Sequence, residues 1–420
     1  MKKAVTTSAA TFSQRYLKRR ALDLATATTR SISDPLAEWA VNRIRLETKP
    51  FRFEGHEYLR AIYDDISPYI VLSKAAQIGG TTWAILKSFH ACLTGLNVIY
   101  FFPTRTDVIE FSKSRVSPLL GDNPFLSRMM TDTDTAGLKR IGDAHLYLRG
   151  MQSTVGMKSV PADMIVFDEL DETPPAAKAM AKERLAHSDY KRIIELSNPS
   201  LPDYGIDEAY QKSDQRHWTL KCPACNNWLA PAKEFPTKLG EEVPFIKSRP
   251  DESHYLACVK CGAELDLGRG EWVADFPNRD IHGYRISQLF SSKIDPGEIL
   301  QEYRTTRFPD RFYNLKIGIP WADLERRLDE SAVLSLCTDY VMGRDCDRAY
   351  RFMGVDTGKN LHVVIMATHN DLKSPMVIHL ETCHEFHDLD RLMEQFNVKL
   401  CVIDGLPETH ATREFTQRNR

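Results

Sequence analysis

Lysine, glycine, hydroxyl and carboxylate groups are spaced for phosphate chemistry in the first half of the chain. Ser73-Lys74-Ala75-Ala76-Gln77-Ile78-Gly79-Gly80-Thr81-Thr82 joins the apolar run Tyr69-Ile70-Val71-Leu72 to an amphipathic segment from Trp83 to Ala91. That order predicts strand, loop and helix, with backbone N–H groups of a glycine-bearing loop closing on phosphate oxygens. The usual pattern is Gly, four residues, Gly, Lys, then Ser or Thr. Here Gly79 and Thr81 hold the second-Gly and hydroxyl places, Gly80 replaces the lysine, and Lys74 stands in the first-Gly place. A lysine stem folded across the loop brings its amine to the same phosphates. The alternative is a tight Gly-Gly turn that opens a buried helix.

Downstream, Met164-Ile165-Val166-Phe167 is followed at once by Asp168 and Glu169. A carboxylate pair at the C-terminal end of a buried strand lies on the ligand-binding edge of an open α/β sheet. Asp168 is assigned to a magnesium ion shared with the Thr81 hydroxyl, and Glu169 to orienting the attacking water. A third strand, in the stretch Lys191 to Ser200 with Ile193, Ile194 and Leu196 as its apolar residues, ends in Ser197 and Asn198 before Pro199. These two are candidates for sensing a terminal phosphate; a plain strand-to-turn exit is the alternative.

Cys222-Pro223-Ala224-Cys225 and Cys258-Val259-Lys260-Cys261 present two thiolates each from a tight turn, as tetrahedral zinc requires. With all four positions filled by Cys222, Cys225, Cys258 and Cys261, the zinc is structural. Redox Cys-x-x-Cys chemistry is the alternative. The other five cysteines lie in apolar settings and read as core residues.

The elements that must position these groups alternate as strand and helix. Asp34 to Leu46 and Glu57 to Asp65 have helical spacing, with Asp34 as the cap of the first. The aromatic stretch from Pro50 to His56 reads as packing, with stacking on an adenine as the alternative. Asn97 to Phe102 is a buried strand, Thr104 to Leu120 is helical, and His145 to Gly150 is a further strand before a loop with Ser153 and Gly156. Such alternation predicts βαβ units and a parallel sheet. His282 to Trp321, with strand-like and helical stretches and interleaved aromatic and basic residues, reads as a connector, with DNA contact as the alternative, and Arg326 to Asp347 as a charged linker.

The 420 residues carry 42% hydrophobic and 27% charged side chains and a net charge of −2, an ordinary balance for a water-exposed globular protein of several domains. No apolar run approaches the roughly 20 residues that span a bilayer, which argues against a membrane partner. The first 33 residues carry Lys2, Lys3, Arg15, Lys18, Arg19, Arg20 and Arg30 against Asp23 alone. They read as a flexible basic arm that could touch a polyanion. Paired cysteines without a signal peptide point to a reducing compartment, the cytoplasm.

The early lysine, the Val-Phe-Asp-Glu-Leu-Asp-Glu segment and the Ser-Asn-Pro-Ser strand end together resemble the large terminase subunit of tailed phages, in its lambda-like family. The likeness runs from about Asp34 to the end of the chain. It implies a packaging ATPase joined to a nuclease, with Lys74 as the lysine that meets the ATP phosphates. It also implies duplex DNA, the small terminase subunit and the procapsid portal as partners, a homo-oligomeric ring, and action in the host cytoplasm. A zinc ribbon in this position is similar to the family too.

In the second half, Phe352 to Gly358 is an apolar strand that carries an acid, Asp356, and Val398 to Asp404 is a strand that ends in one, Asp404. The resemblance implies a ribonuclease-H-like nuclease in which Asp356 and Asp404 hold magnesium or manganese. Asp404 before Gly405 also fits a simple turn. The chain reaches Arg420 before the third acid that the resemblance implies, which reads as a fragment or a degenerate nuclease.

The expected organisation is an α/β fold: arm 1–33, P-loop ATPase 34–218, zinc ribbon 219–265, ATPase remainder and linker 266–345, partial nuclease 346–420. The expected function is ATP-driven translocation of duplex DNA into a procapsid. Two alternatives remain at this point: a helicase-like or chromatin-type DNA-dependent ATPase with a zinc ribbon, and a zinc-dependent scaffold with a dead ATPase fold.

Overall fold

Ile70–Leu72, Val98–Phe102 and Met164–Phe167 are apolar at every position, the pattern of strands covered on both faces. The computed structural model describes residues 34–152, 160–322, 342, 350–358, 360–369, 375–406 and 408–419. The basic arm, the Ser153 and Gly156 loop, most of the charged linker, Cys337 and Cys346 lie outside them. Two compact units divide at Glu325 and Arg326.

The first unit is built on seven parallel strands: β1 (Tyr69–Lys74), β2 (Val98–Phe102), β3 (Ala144–Gly150), β4 (Met164–Asp168), β5 (Arg192–Ser197), β6 (Arg216–Lys221) and β7 (His282–Ile286). Their order is β6-β7-β1-β5-β4-β2-β3, and short antiparallel strands extend both edges to eleven. Alternate residues serve opposite faces. Ile70 and Leu72 join a core with Trp83 and Phe89 of helix α1 (Gly80–Leu93), whereas Val71 joins Phe167, Ala177, Ala181 and Tyr210 on the other side.

Register matters more than length here. Ser73 pairs with Ser197 and Asp168 with Leu196, so the C-terminal ends of β1, β5 and β4 lie side by side, with β5 in the middle. The expected connector after His282 is corrected by β7, which enters the sheet directly beside β1 and pairs Ile286 with Lys74. The first helix is shorter than expected, Leu36–Arg43, starts without a side-chain cap, and gives way to a hairpin of Arg45–Leu46 and Lys49–Pro50. The expected helix after Thr104 is interrupted by a widened π turn at Ser112–Val116.

In the second unit, β8 (Tyr350–Thr357), β9 (Leu361–Thr368), β10 (Met376–Cys383) and β11 (Leu400–Ile403) form a sheet of order β10-β9-β8-β11. Only the β8–β11 pair is parallel. One face buries Val355 and Ile365 against Leu389, Leu392 and Phe415 of helices Phe386–Gln395 and Thr409–Arg418.

One buried acid on β5 has a structural role. Glu195 is fully buried on the Val71 face, accepts the Tyr69 hydroxyl at 2.6 Å, and meets the Lys178 and Lys182 ammonium groups at 2.8 and 3.2 Å. A buried charge stripped of its partners is strongly destabilising. The double substitution Lys178→Met and Lys182→Met is therefore expected to lower unfolding free energy by about 3 kcal/mol in denaturant titration; a loss below about 0.5 kcal/mol would count against the clamp.

Candidate functional site

The loop between β1 and α1 is held from behind and open in front. Ala75 N–H donates to Ile286 O and Ala76 N–H to Leu315 O, both at 2.8 Å, and Gln288 Nε2 donates to Ala76 O at 2.9 Å. Ala75 and Ala76 thus anchor the loop, and their N–H groups are not free for a ligand. From Gln77 to Thr82 the backbone N–H groups have no acceptor among the described residues. Left-handed backbone at Gln77 (φ +60°) and Gly79 (φ +84°) turns this run inward before the helix begins at Gly80. Three of these donors belong to the helix N-terminus, where unpaired N–H groups and the helix dipole favour an anion.

Lys74 and Gly80 fit each other. A Cβ at Gly80 would stand 2.8 Å from Lys74 Cδ and 3.1 Å from Leu72 Cδ2. The residue at the usual lysine place therefore leaves the room through which the displaced lysine's stem passes. Lys74 is 5% exposed, and its Nζ meets Glu169 Oε1 at 3.0 Å.

Glu169 sits at φ +51°, a left-handed conformation that costs a non-glycine residue about 1 kcal/mol and is commonly kept where function needs it. Asp168, one residue earlier, is buried. Its Oδ2 accepts the Tyr100 hydroxyl at 2.7 Å and its Oδ1 accepts the Glu169 N–H at 3.1 Å. Burial pushes the Asp168 pKa up to about 6 against the pull of the Lys74 charge. Between the two sites, Asn198 Nδ2 donates to Lys74 O at 2.7 Å. Ser197 is buried; its Oγ donates to Asn198 O at 2.9 Å and accepts the Asp171 N–H at 3.3 Å. Asp171 in turn holds Ile206 N–H at 2.7 Å and Ser200 N–H at 2.8 Å.

A cavity of about 700 Å³ opens over this arrangement. Residues 74–82, Glu169 and Asn198 form one wall. Phe51, Phe53 and His56 also line it, and Phe51 and Phe53 pack in the core against each other and Tyr63, as the packing reading expects. Asp168 and Ser197, named as ligand-binding from the sequence, do not line the cavity: the first is covered behind Glu169, the second turned into the strand end. Tyr100 and Arg115, the latter lining the cavity from the π turn, are additions that no motif marks, and Asp171, inside the Val-Phe-Asp-Glu-Leu-Asp-Glu segment, gains a role that the segment alone does not assign.

The four cysteines meet as the spacing requires. All four Sγ atoms lie within 4.8 Å of one another, with Cys222–Cys261 at 3.5 Å and Cys225–Cys258 at 3.6 Å. Sulfur atoms bound tetrahedrally at zinc stand about 3.8 Å apart, so the donor set fits that ion. Each knuckle closes the same way: Asn226 N–H donates to Cys222 O at 3.0 Å and Gly262 N–H to Cys258 O at 2.8 Å, with Asn226 and Gly262 left-handed. Although desolvation opposes its thiolate, the N–H groups of Cys261 and Lys260 bring the Cys258 pKa down to about 6. Cys92 and Cys383 are buried in the cores, as apolar residues would be.

On the second unit Val355 pairs with Ile403, so Asp356 and Asp404 follow at adjacent places on parallel strands, both exposed. His362 pairs with Asp356 on the other side. Among the described residues the four cysteines are the one group of three or more side chains placed to share a metal ion.

A strand–loop–helix at the C-terminal edge of a largely parallel sheet, with acids at the end of a nearby strand, defines an α/β fold with a candidate nucleotide site. The chain belongs to the family of phage terminase large subunit gpA ATPase domains, whose profile matches residues 42–272. Solved structures similar to it include the large terminase of a thermophilic bacteriophage (10% identity, 84% of this chain and 76% of that one, TM-score 0.38). Others are the HK97 bacteriophage large terminase (12%, 88% and 74%, 0.42) and the Thermus phage P74-26 large terminase ATPase domain (9%, 64% and 93%, 0.40). No curated protein sequence matches the chain.

Gly80→Ala is expected to lower unfolding free energy by about 1–3 kcal/mol, because the added methyl must displace the Lys74 stem. Gly121→Ala, which meets nothing within 4 Å, is expected to be neutral or slightly stabilising. Equal effects in denaturant titration would mean that the stem does not run past Gly80.

Proposed function

We propose that the chain is the ATP-hydrolysing subunit of a viral DNA-packaging motor. The observation that carries this is the Lys74 ammonium, threaded past Gly80 to Glu169 beside a cavity whose floor is the loop from Gln77 to Thr82, where six backbone N–H groups have no acceptor among the described residues. Such a floor suits the polyphosphate of ATP, and about 700 Å³ is ample for a nucleotide. Lys74 meets the phosphate charge in place of the usual later lysine. Magnesium, a hard cation that takes oxygen ligands, suits the Asp168 carboxylate and Thr81 hydroxyl, and would neutralise charge on the phosphates. Glu169 holds the attacking water and accepts its proton, once nucleotide draws Lys74 away from it. Asn198, bonded to the Lys74 carbonyl, is placed to report loss of the terminal phosphate to the segment that Asp171 ties down.

The four cysteines hold one structural zinc, and Asp356 with Asp404 supply two carboxylates of a ribonuclease-H-like nuclease that takes magnesium or manganese. The domain plan follows: ATPase 34–218 and 266–345 around a ribbon at 219–265, and nuclease residues from 346 onward. Duplex DNA, the small terminase subunit, the portal of the procapsid and further copies of this chain in a ring are the partners that go with this function. The site of action is the host cytoplasm; no helix among the described residues is long and apolar enough to cross a membrane.

The chain is expected to hydrolyse ATP, with duplex DNA raising the rate, and Lys74→Ala and Glu169→Ala should each lower kcat by about 10²-fold or more. Hydrolysis by Lys74→Ala at the wild-type rate would end the assignment of the displaced lysine. Native mass spectrometry is expected to find about one zinc per chain, and to lose it in the double variant Cys222→Ser and Cys258→Ser.

A further inference from the structure

Tyr58 lies behind the phosphate loop and does not line the cavity. It is fully buried, and its hydroxyl donates to Ile78 O at 3.3 Å while standing 2.9 Å from His56 Nδ1. Ile78 is the residue between the two left-handed positions of the loop, Gln77 and Gly79, so this bond fixes the peptide about which the free N–H groups turn. The Tyr58 carbonyl accepts the Trp272 indole N–H at 2.8 Å.

Trp272 belongs to the stem of the cysteine hairpin. It pairs with Trp218 across the antiparallel strands Gly270–Ala274 and β6, and Cys222 follows β6 directly. The two indoles pack at 5.4 Å, and Trp218 reaches the Tyr58 ring at 6.4 Å. A Cβ at Gly270 would fall 2.3 Å from the Trp218 ring, so the stem has no slack at this point. Cys222 and Cys258 are buried in the same core as Tyr58, Trp218 and Ile78. The hairpin is thus packed into the body that carries the loop.

We infer that Tyr58 is a positioning residue through which the four-cysteine hairpin sets the shape of the phosphate loop, so that metal binding and nucleotide binding favour each other. This rests on the reading of the cavity as a nucleotide site and of the cysteines as a zinc site. An open hairpin releases Trp218 and Trp272, Tyr58 loses its carbonyl partner and its packing, and the Ile78 peptide is free to turn. Coupling of this kind is reciprocal: whatever factor zinc adds to nucleotide affinity, nucleotide adds to zinc affinity.

The test measures both affinities on the full chain. Nucleotide binding is followed with a fluorescent ATP analogue, and zinc binding by competition with a chromophoric chelator, with and without saturating nucleotide. In the wild type, nucleotide is expected to tighten zinc binding by about fivefold or more. Tyr58→Phe, which keeps the ring, should retain one zinc, weaken nucleotide about tenfold and abolish the effect of nucleotide on zinc. Trp272→Phe, which removes only the indole N–H donor and part of the ring, should move all three readings in the same direction. Zinc affinity that is indifferent to nucleotide in the wild type, or wild-type nucleotide affinity in Tyr58→Phe, overturns the link alone. Absence of any nucleotide binding by the wild type overturns the reading of the cavity, and the link with it.

Discussion

The ion pair between Lys74 and Glu169 at 3.0 Å is the contact on which the rest of the site depends. A lysine that leaves the end of a central strand 5% exposed must find a counter-charge and a passage for its stem. Gly80 supplies the passage and Glu169 the charge. Glu169 reaches that position only because its own backbone turns left-handed immediately after β4. That turn also brings its N–H onto Asp168 Oδ1, so one strained residue orients both carboxylates.

Strand order ties the two halves of the site to one strand. β5 lies between the lysine strand and the acid strand, and its end is bonded to both: Asn198 to the Lys74 carbonyl, Ser197 to the Asp171 N–H. A displacement at either neighbour therefore acts on β5 and on the Ser200–Ile206 segment that Asp171 holds. On the other flank of β1, β7 and the turn ending at Gly318 close the back of the loop. A side chain at Gly318 is excluded, because its Cβ would stand 2.3 Å from Ile286 O.

What could be read in the sequence was local. The loop, its lysine, the acid pair and the cysteine knuckles are each contained in ten residues or fewer, and backbone chemistry ties each residue type to its place. The family likeness read from those motifs is the one the profile match shows. Tyr100 looked like one more aromatic in an apolar run, because only the β2–β4 pairing brings its hydroxyl to Asp168. β7 was missed as a sheet member for the same reason: its partner β1 is separated from it by the whole of the sheet's other strands. Phe51 and Phe53 carry an aromatic pattern that suits either packing or a ligand; the structure packs both rings in the core at the border of the cavity. Asp168 and Ser197 were placed in the right strand ends, yet strand-end position alone does not fix which side chains face the cavity.

The contrast between two buried acids of the same sheet separates structure from function. Glu195 has two lysines and a tyrosine hydroxyl around it, and every one of those partners belongs to a strand or helix packed on the same face. Asp168 has a hydroxyl and one backbone N–H, while the nearest lysine is committed to Glu169. Desolvation therefore outweighs compensation at Asp168 and raises its pKa. A carboxylate held in this under-compensated state, beside an open cavity, gains from any cation that reaches it. The sheet thus gives full pairing to the acid that holds a helix, and leaves under-paired the acid that stands behind Glu169.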